Sequence, residues 1–113
     1  MKRFLPLAML PLVAACLPHP PPAPAPYRAV GQAMNWTLLI DDMHVTWLAP
    51  GQPPLTQPKP QVIVGIAGEI YQTERVNVNI VHQPCRESRS NRVYPDTVQV
   101  YVDGKQFTGC GGL

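Results

Sequence analysis

Charge is scarce in this chain and almost balanced: 14% of its residues are charged, and nine Lys/Arg against seven Asp/Glu leave a formal +2. That excludes a whole-protein field strong enough to gather nucleic acid or acidic partners. Aromatic residues are equally sparse at 7%, and they are not interleaved with basic ones as a surface for stacking single-stranded bases requires. No apolar run approaches the roughly 20 residues that a membrane-spanning helix needs. Helical periodicity is missing as well, since apolar residues do not recur at three- and four-residue spacing.

The chemistry of catalysis is also thin. A hydrolase needs a nucleophile with a base and an orienting group, and no Gly-x-Ser-x-Gly elbow is present. A glycosidase would set two carboxylates around a cleft. Most of the carboxylates (Asp41, Asp42, Glu69, Glu74, Glu87, Asp96 and Asp103) fall at expected turns. His82-x-x-Cys85 has a spacing that suits zinc, but no second Cys or His pair lies near it. No glycine loop of the phosphate-cradling kind appears. The expectation is therefore no catalytic residue, no cofactor and no metal. An enzyme would require His44 or His82 to converge with carboxylates in a cleft.

What is present begins at the N-terminus. Met1-Lys2-Arg3 is followed by an apolar run from Phe4 to Ala14 and then Ala15-Cys16. A positive start, a short apolar stretch and small residues before a cut define a secretory signal peptide. Val13-Ala14-Ala15-Cys16 resembles a lipobox, which places a signal peptide at 1–15 and a lipid anchor on Cys16. Leu17 follows where an inner-membrane retention signal would have Asp, so the outer membrane is the expected destination. Three cysteines leave one unpaired in an exported chain. Acylating Cys16 removes the odd one, and Cys85 and Cys110 are then free to pair in an oxidising compartment.

Residues 16–26 read as the lipidated Cys and a spacer. Leu17 to Pro26 holds six prolines in ten residues, which favours an extended polyproline conformation of about 3.1 Å per residue. The remaining span, 27–113, is too small to bury a large fraction of its surface, so a disulfide staple is expected to help. There alternation dominates. Trp36, Leu38 and Ile40 share one face, as do Val45 and Trp47, with Asp41-Asp42 as a hairpin turn between them. Gln61–Ile66 reads as a short apolar strand, with Ala67-Gly68 as the next turn. Val76, Val78 and Ile80 face in while Arg75, Asn77 and Asn79 face out. Val98, Val100 and Val102 repeat the pattern, and Asp103-Gly104 marks a type I′ hairpin turn into Lys105–Cys110. Pro50 to Pro60, with five prolines, cannot be a central strand and is expected to be a surface connection. Six or so short strands predict an all-β domain, a small antiparallel barrel or sandwich. Arg86–Arg92 is a polar run inside the disulfide loop, and its arginines suit an anionic surface.

Two stretches together resemble a family of uncharacterised proteobacterial lipoproteins. The first is Tyr27-Arg28-Ala29-Val30-Gly31 through Trp36-Thr37-Leu38-Leu39-Ile40-Asp41, similar to that family's Gly-x-Glu-Pro-Phe-Trp-x-Leu-x-Ile segment. The second runs from Cys85 through Asn91-Arg92-Val93-Tyr94-Pro95 to Gly109-Cys110-Gly111, similar to its Cys…Ser-Asp-Arg-x-Tyr-Pro…Gly-Cys ending. The chain departs from the pattern at Ala33-Met34-Asn35 and at Arg89. The resemblance implies a periplasm-facing lipoprotein with a Cys85–Cys110 bridge and carries no established activity. A shorter stretch, Ser90-Asn91-Arg92-Val93-Tyr94, is similar to the Ser-Gly-x-x-Tyr loop of bacterial lysozyme inhibitors, small β-barrels often lipid-anchored. In those proteins the loop enters the lysozyme cleft and its Ser and Tyr meet the catalytic carboxylates. Asn tolerates the left-handed backbone that Gly usually supplies.

The leading expectation is a non-enzymatic envelope lipoprotein with a binding or structural role and an unknown ligand, held to the membrane through Cys16, with a protein or cell-wall partner and no nucleic acid. The alternative is a lysozyme inhibitor acting through the 86–95 loop, with Ser90, Arg92 and Tyr94 as partner-binding residues. The binding reading predicts an ordered 86–95 loop with outward side chains.

Overall fold

A computed structural model describes Pro18, Pro21 and residues 25–113. The expected signal peptide, Cys16 and most of the proline spacer lie outside the described residues. What is described is all-β, as the alternation predicts, with a nine-stranded antiparallel sheet and a separate two-stranded one. The strands are β1 (Tyr27–Gly31), β2 (Thr37–Ile40), β3 (His44–Leu48), β4 (Leu55–Pro58), β5 (Ile63–Val64) and β6 (Gly68–Gln72). They continue with β7 (Val76–Val81), β8 (Cys85–Arg86), β9 (Val93–Tyr94), β10 (Asp96–Val102) and β11 (Lys105–Gly111). The large sheet runs β4-β3-β2-β1-β11-β10-β7-β6-β5, and β8 pairs with β9 alone.

That order makes β4 and β5 the two edges, although they are consecutive in the chain. The sheet curls into a half-barrel, which brings the edges toward each other. The side-chain oxygen of Gln57 on β4 accepts from the Arg75 N–H at the β6–β7 turn (3.2 Å). Lys59, just after β4, holds its ammonium 5.9 Å from the Tyr71 ring centroid on β6. No ladder closes the seam. Pro58 and Pro60 flank it, and proline has no N–H to give to a ladder.

The concave face is the core. Ala29, Trp36, Leu38, Ile40, Val45, Trp47, Val76, Val78, Ile80, Val98 and Val100 form one buried cluster. These are the residues the period-2 pattern turns inward. Register fixes them in rows: Val98 sits opposite Ile80, and Val100 opposite Val78. Asp103 and Gly104 both have positive φ, at 50° and 83°, as a type I′ turn requires. Asp41 makes its turn differently. Its side-chain oxygen accepts the N–H groups of Met43 (2.8 Å) and His44 (2.6 Å), an Asx turn that draws Met43 into the loop.

Several boundaries differ from the sequence reading. Pro50 to Pro60 is not simply a connection, because Leu55–Pro58 is the edge strand β4. An edge strand has one neighbour and tolerates proline on its open side. The expected strand over 61–66 shrinks to Ile63–Val64, both exposed, at the other edge. Its turn is at Gly65–Ala67, closed by the Gly65 N–H on the Gly68 carbonyl (2.8 Å), so Gly68 opens a strand rather than a turn. β1, β6, β8 and β9 were not expected as strands.

Trp36 shows how tightly the core is set. Its indole lies across Gly31 and Gly109, where a Cβ would come within 2.7 Å of the ring. Neighbouring carbonyls of Met34 and Val30 crowd the same two positions. All eleven strands, the apolar core and the Cys85–Cys110 bridge fall within Tyr27–Gly111. Among the described residues, 27–113 thus hold the strands, the core and the bridge. Gly109→Ala is expected to lose about 1–3 kcal/mol by overpacking. Gly65→Ala, with nothing closer than 3.7 Å, should stay within about 0.5 kcal/mol of wild type. Urea unfolding of both variants checks this.

Candidate functional site

The 86–95 loop is built on the convex face. Alternation turns Cys110 outward, opposite Val30 on β1 and Thr97 on β10. Cys85 meets it there, with a Cα–Cα distance of 5.4 Å. Cys85, Cys110 and Tyr94 form a second small apolar cluster, with Val30 packed against it. The chain-entropy model values a loop of this length at about 3.5 kcal/mol.

The loop is ordered by hydrogen bonds rather than by apolar burial. The Gln32 amide, just past β1, donates to the Arg86 carbonyl (2.8 Å) and accepts the Ser88 N–H (2.8 Å). The Ser88 hydroxyl donates back to the Gln32 carbonyl (3.0 Å). Glu87 is the internal anchor, its carboxylate buried at 3% exposure. It accepts the Ser90 N–H and the Arg89 Nε (3.1 Å). The Ser90 hydroxyl and N–H, then Arg89, hold its carboxyl down to about 2. That stabilisation is complete above the ordinary 4.5 and fades as pH falls toward 2.

Around this anchor Ser88, Arg89, Ser90, Asn91, Arg92 and Val93 are all exposed. Asn91 takes the left-handed conformation, at φ 62°. Arg86 donates to the Asn91 carbonyl (3.1 Å) and side-chain oxygen (3.2 Å). Arg92 lies 5.7 Å from the centroid of the Tyr94 ring. Each guanidinium carries five N–H donors, so donors on all three arginines stay available. Tyr94 departs from the sequence expectation. It is buried against the bridge at 9% exposure and does not project beside Ser90 and Arg92. The ladder explains this: Tyr94 pairs with Cys85 and shares its side of the small sheet.

A second cluster was not anticipated. His82 Nδ1 lies 2.8 Å from Asp96 Oδ1, and its Nε2 lies 2.7 Å from Glu69 Oε2. The Tyr27 hydroxyl donates to the other Asp96 oxygen (2.8 Å). Asp96 is buried at 6% exposure, so its charge needs these partners. With a carboxylate at each nitrogen, the ring fits best as the imidazolium, donating from both. Asp96 first and Glu69 second accordingly raise the His82 pKa above its usual 6.5. Burial and the Asp96 contact push the Tyr27 hydroxyl upward.

Glu69 and Asp96, read as turn carboxylates, instead sit in strands and face inward. The missed signal was the alternation itself. One step beyond Ile80 comes His82, and one step before Val98 comes Asp96. These groups close the end of the half-barrel where β1 starts. His82 thus meets the carboxylate half of the condition for an enzyme. His44 sits at the β2–β3 turn beside Asp41. Cys85 is in the disulfide, so His82-x-x-Cys85 has no thiolate for zinc. Among the described residues no group of three or more His, Cys, Asp or Glu is placed to hold a metal ion.

No family model, curated protein or solved structure matches the chain.

The His82 cluster has a definite pH signature. A raised folded-state pKa gives stability that is full below the unfolded value near 6.5 and is lost as pH rises through the folded value. Wild type should therefore exceed His82→Gln in stability in mild acid. The difference should shrink steadily as pH rises above 6.5. Chemical denaturation across pH 5 to 9 is the check, and a gap independent of pH would show that His82 contributes packing alone.

Proposed function

We propose that the protein is a non-enzymatic bacterial envelope lipoprotein, anchored through Cys16, that binds an anionic cell-wall or protein partner with its 86–95 loop. The observation that carries this reading is the loop's construction. A buried, ion-paired Glu87 and a disulfide hold six consecutive residues in one exposed conformation. A loop ordered before binding loses little conformational entropy when it meets a partner. A tolerated insertion would have no need for a buried carboxylate bound to its own backbone. The three arginines against a single neutralised Glu87 give the surface its preference for anions. The anchor rests on the Val13-Ala14-Ala15-Cys16 motif and on the parity of the cysteines, two of which pair.

A second reading, lysozyme inhibition, draws support from Asn91. Its left-handed backbone reproduces what Gly supplies in the Ser-Gly-x-x-Tyr loop. The buried Tyr94 leaves Ser90 and Arg92 to make the contact.

Two measurements test the proposal. Palmitate labelling of the full chain should disappear in Cys16→Ala. Co-sedimentation of residues 27–113 with purified cell-wall sacculi should fall about tenfold in an Arg89→Glu, Arg92→Glu variant and weaken with added salt. Equal sedimentation of wild type and variant would sink the loop's role. Inhibition of lysozyme that disappears in Ser90→Ala would select the second reading.

A further inference from the structure

The end of the half-barrel opposite the start of β1 is left open. A cavity of about 550 Å³ lies there, between the β1–β2 and β3–β4 turns and the β10–β11 hairpin. Its size falls within the range of small-molecule sites, which favour the mouths of β-barrels. Trp36, Trp47 and Phe107 line it in a row of tilted rings, with centroids 5.0 Å and 4.8 Å apart. Val102 adds an aliphatic wall. Met34, 60% exposed, stands at the mouth; its unbranched side chain can adapt to what lies beneath it.

The charges around the mouth are unequal. Asp103 is held by Arg75 through two hydrogen bonds (2.9 Å and 2.8 Å), so its charge is answered. Lys105, two residues on, also lines the cavity and makes no ion pair among the described residues. Over the apolar floor, Lys105 is thus the charge on the lining left without an ion-pair partner among the described residues. A cationic ligand would meet Lys105.

We propose that this cavity binds an anionic amphiphile: a hydrocarbon chain against Trp36, Trp47 and Phe107, and an acidic head on Lys105. A free fatty acid and a lysophospholipid with an anionic headgroup share this chemistry. The site is separate from the arginine loop and stands whether or not that loop binds a partner.

The chain carries two tryptophans, and both line the cavity, so intrinsic fluorescence reads occupancy directly. Residues 27–113 are titrated with laurate, lauroyl lysophosphatidylglycerol and dodecyltrimethylammonium, each below its micellar concentration. A saturable change in emission with laurate identifies the fatty-acid source, and one confined to the lysolipid identifies the phospholipid source. The ammonium amphiphile should bind about tenfold more weakly or not at all. Lys105→Glu and Met34→Glu alter exposed side chains and should keep the wild-type circular dichroism. Each should weaken the anionic ligand by about tenfold. The proposal is overturned if neither anionic amphiphile gives a saturable change. Equal affinity for the cationic one, or unchanged affinity in Lys105→Glu, would overturn it as well.

Discussion

A single sheet with one apolar face and no second layer has to curl until that face covers itself. The remaining features of this structure follow from that constraint. Helices or a second sheet ordinarily cover such a face; the described residues form no helix, and their small β8–β9 sheet lies on the other face. The nine strands therefore bend round Leu38, Val45, Val76, Val78, Val98 and Val100, which become fully buried. Bending leaves two edges to protect and two ends to close. β4 and β5, with Pro58 and Pro60 between them, put the open seam where the chain itself crosses from one edge to the other. Prolines at an edge also discourage pairing with another chain.

The relative sizes of the stabilising effects assign the parts their roles. Burying one Val, Leu or Phe side chain is worth about 1.5–3 kcal/mol, so the bridge, at about 3.5 kcal/mol, equals one or two core residues. Such an increment matters in a domain this small, but it does not build the barrel. Its position on the convex face shows what else it does: it fastens a segment that the core does not reach. The Arg75–Asp103 pair is about half exposed on both sides, and exposed pairs add little to stability. At the cavity rim its consequence is electrostatic instead, because it neutralises Asp103 and leaves Lys105 to set the sign.

The inward-facing residues were legible in the sequence wherever alternation was unbroken over several steps, as at Val76–Ile80 and Trp36–Ile40. The Asp103-Gly104 turn was legible because positive φ at two consecutive positions narrows the residue choice so sharply. β1 was missed because Ala29 and Gly31, two of its inward residues, are small; at Gly31 the Trp36 ring takes the space. β4 was missed because prolines mask a strand that survives only as an edge. His82, Glu69 and Asp96 were missed for a different reason. Each continues an apolar alternation with a polar residue, which reads as the strand's end until three strands are laid side by side. The anchoring role of Glu87 depends on backbone donors, and no sequence pattern announces those. The cavity is lined by residues of three separate connections, which no local sequence pattern brings together.

The two ends of the half-barrel are closed by opposite means, and that asymmetry gives the molecule a direction. Where β1 starts, a charged network of Tyr27, Glu69, His82 and Asp96 fills the opening with groups that satisfy one another. At the far end, aromatic rings line an opening that no side chain fills. Gln32 to Asn35, the β1–β2 connection, belongs to both candidate surfaces. Gln32 fastens the arginine loop on the convex side, while Asn35 faces the cavity. Tyr27, the first residue of β1, lies at the plugged end, so the cavity sits at the end away from it. Binding chemistry on this scaffold is available where alternation runs out of partners, not where it is complete.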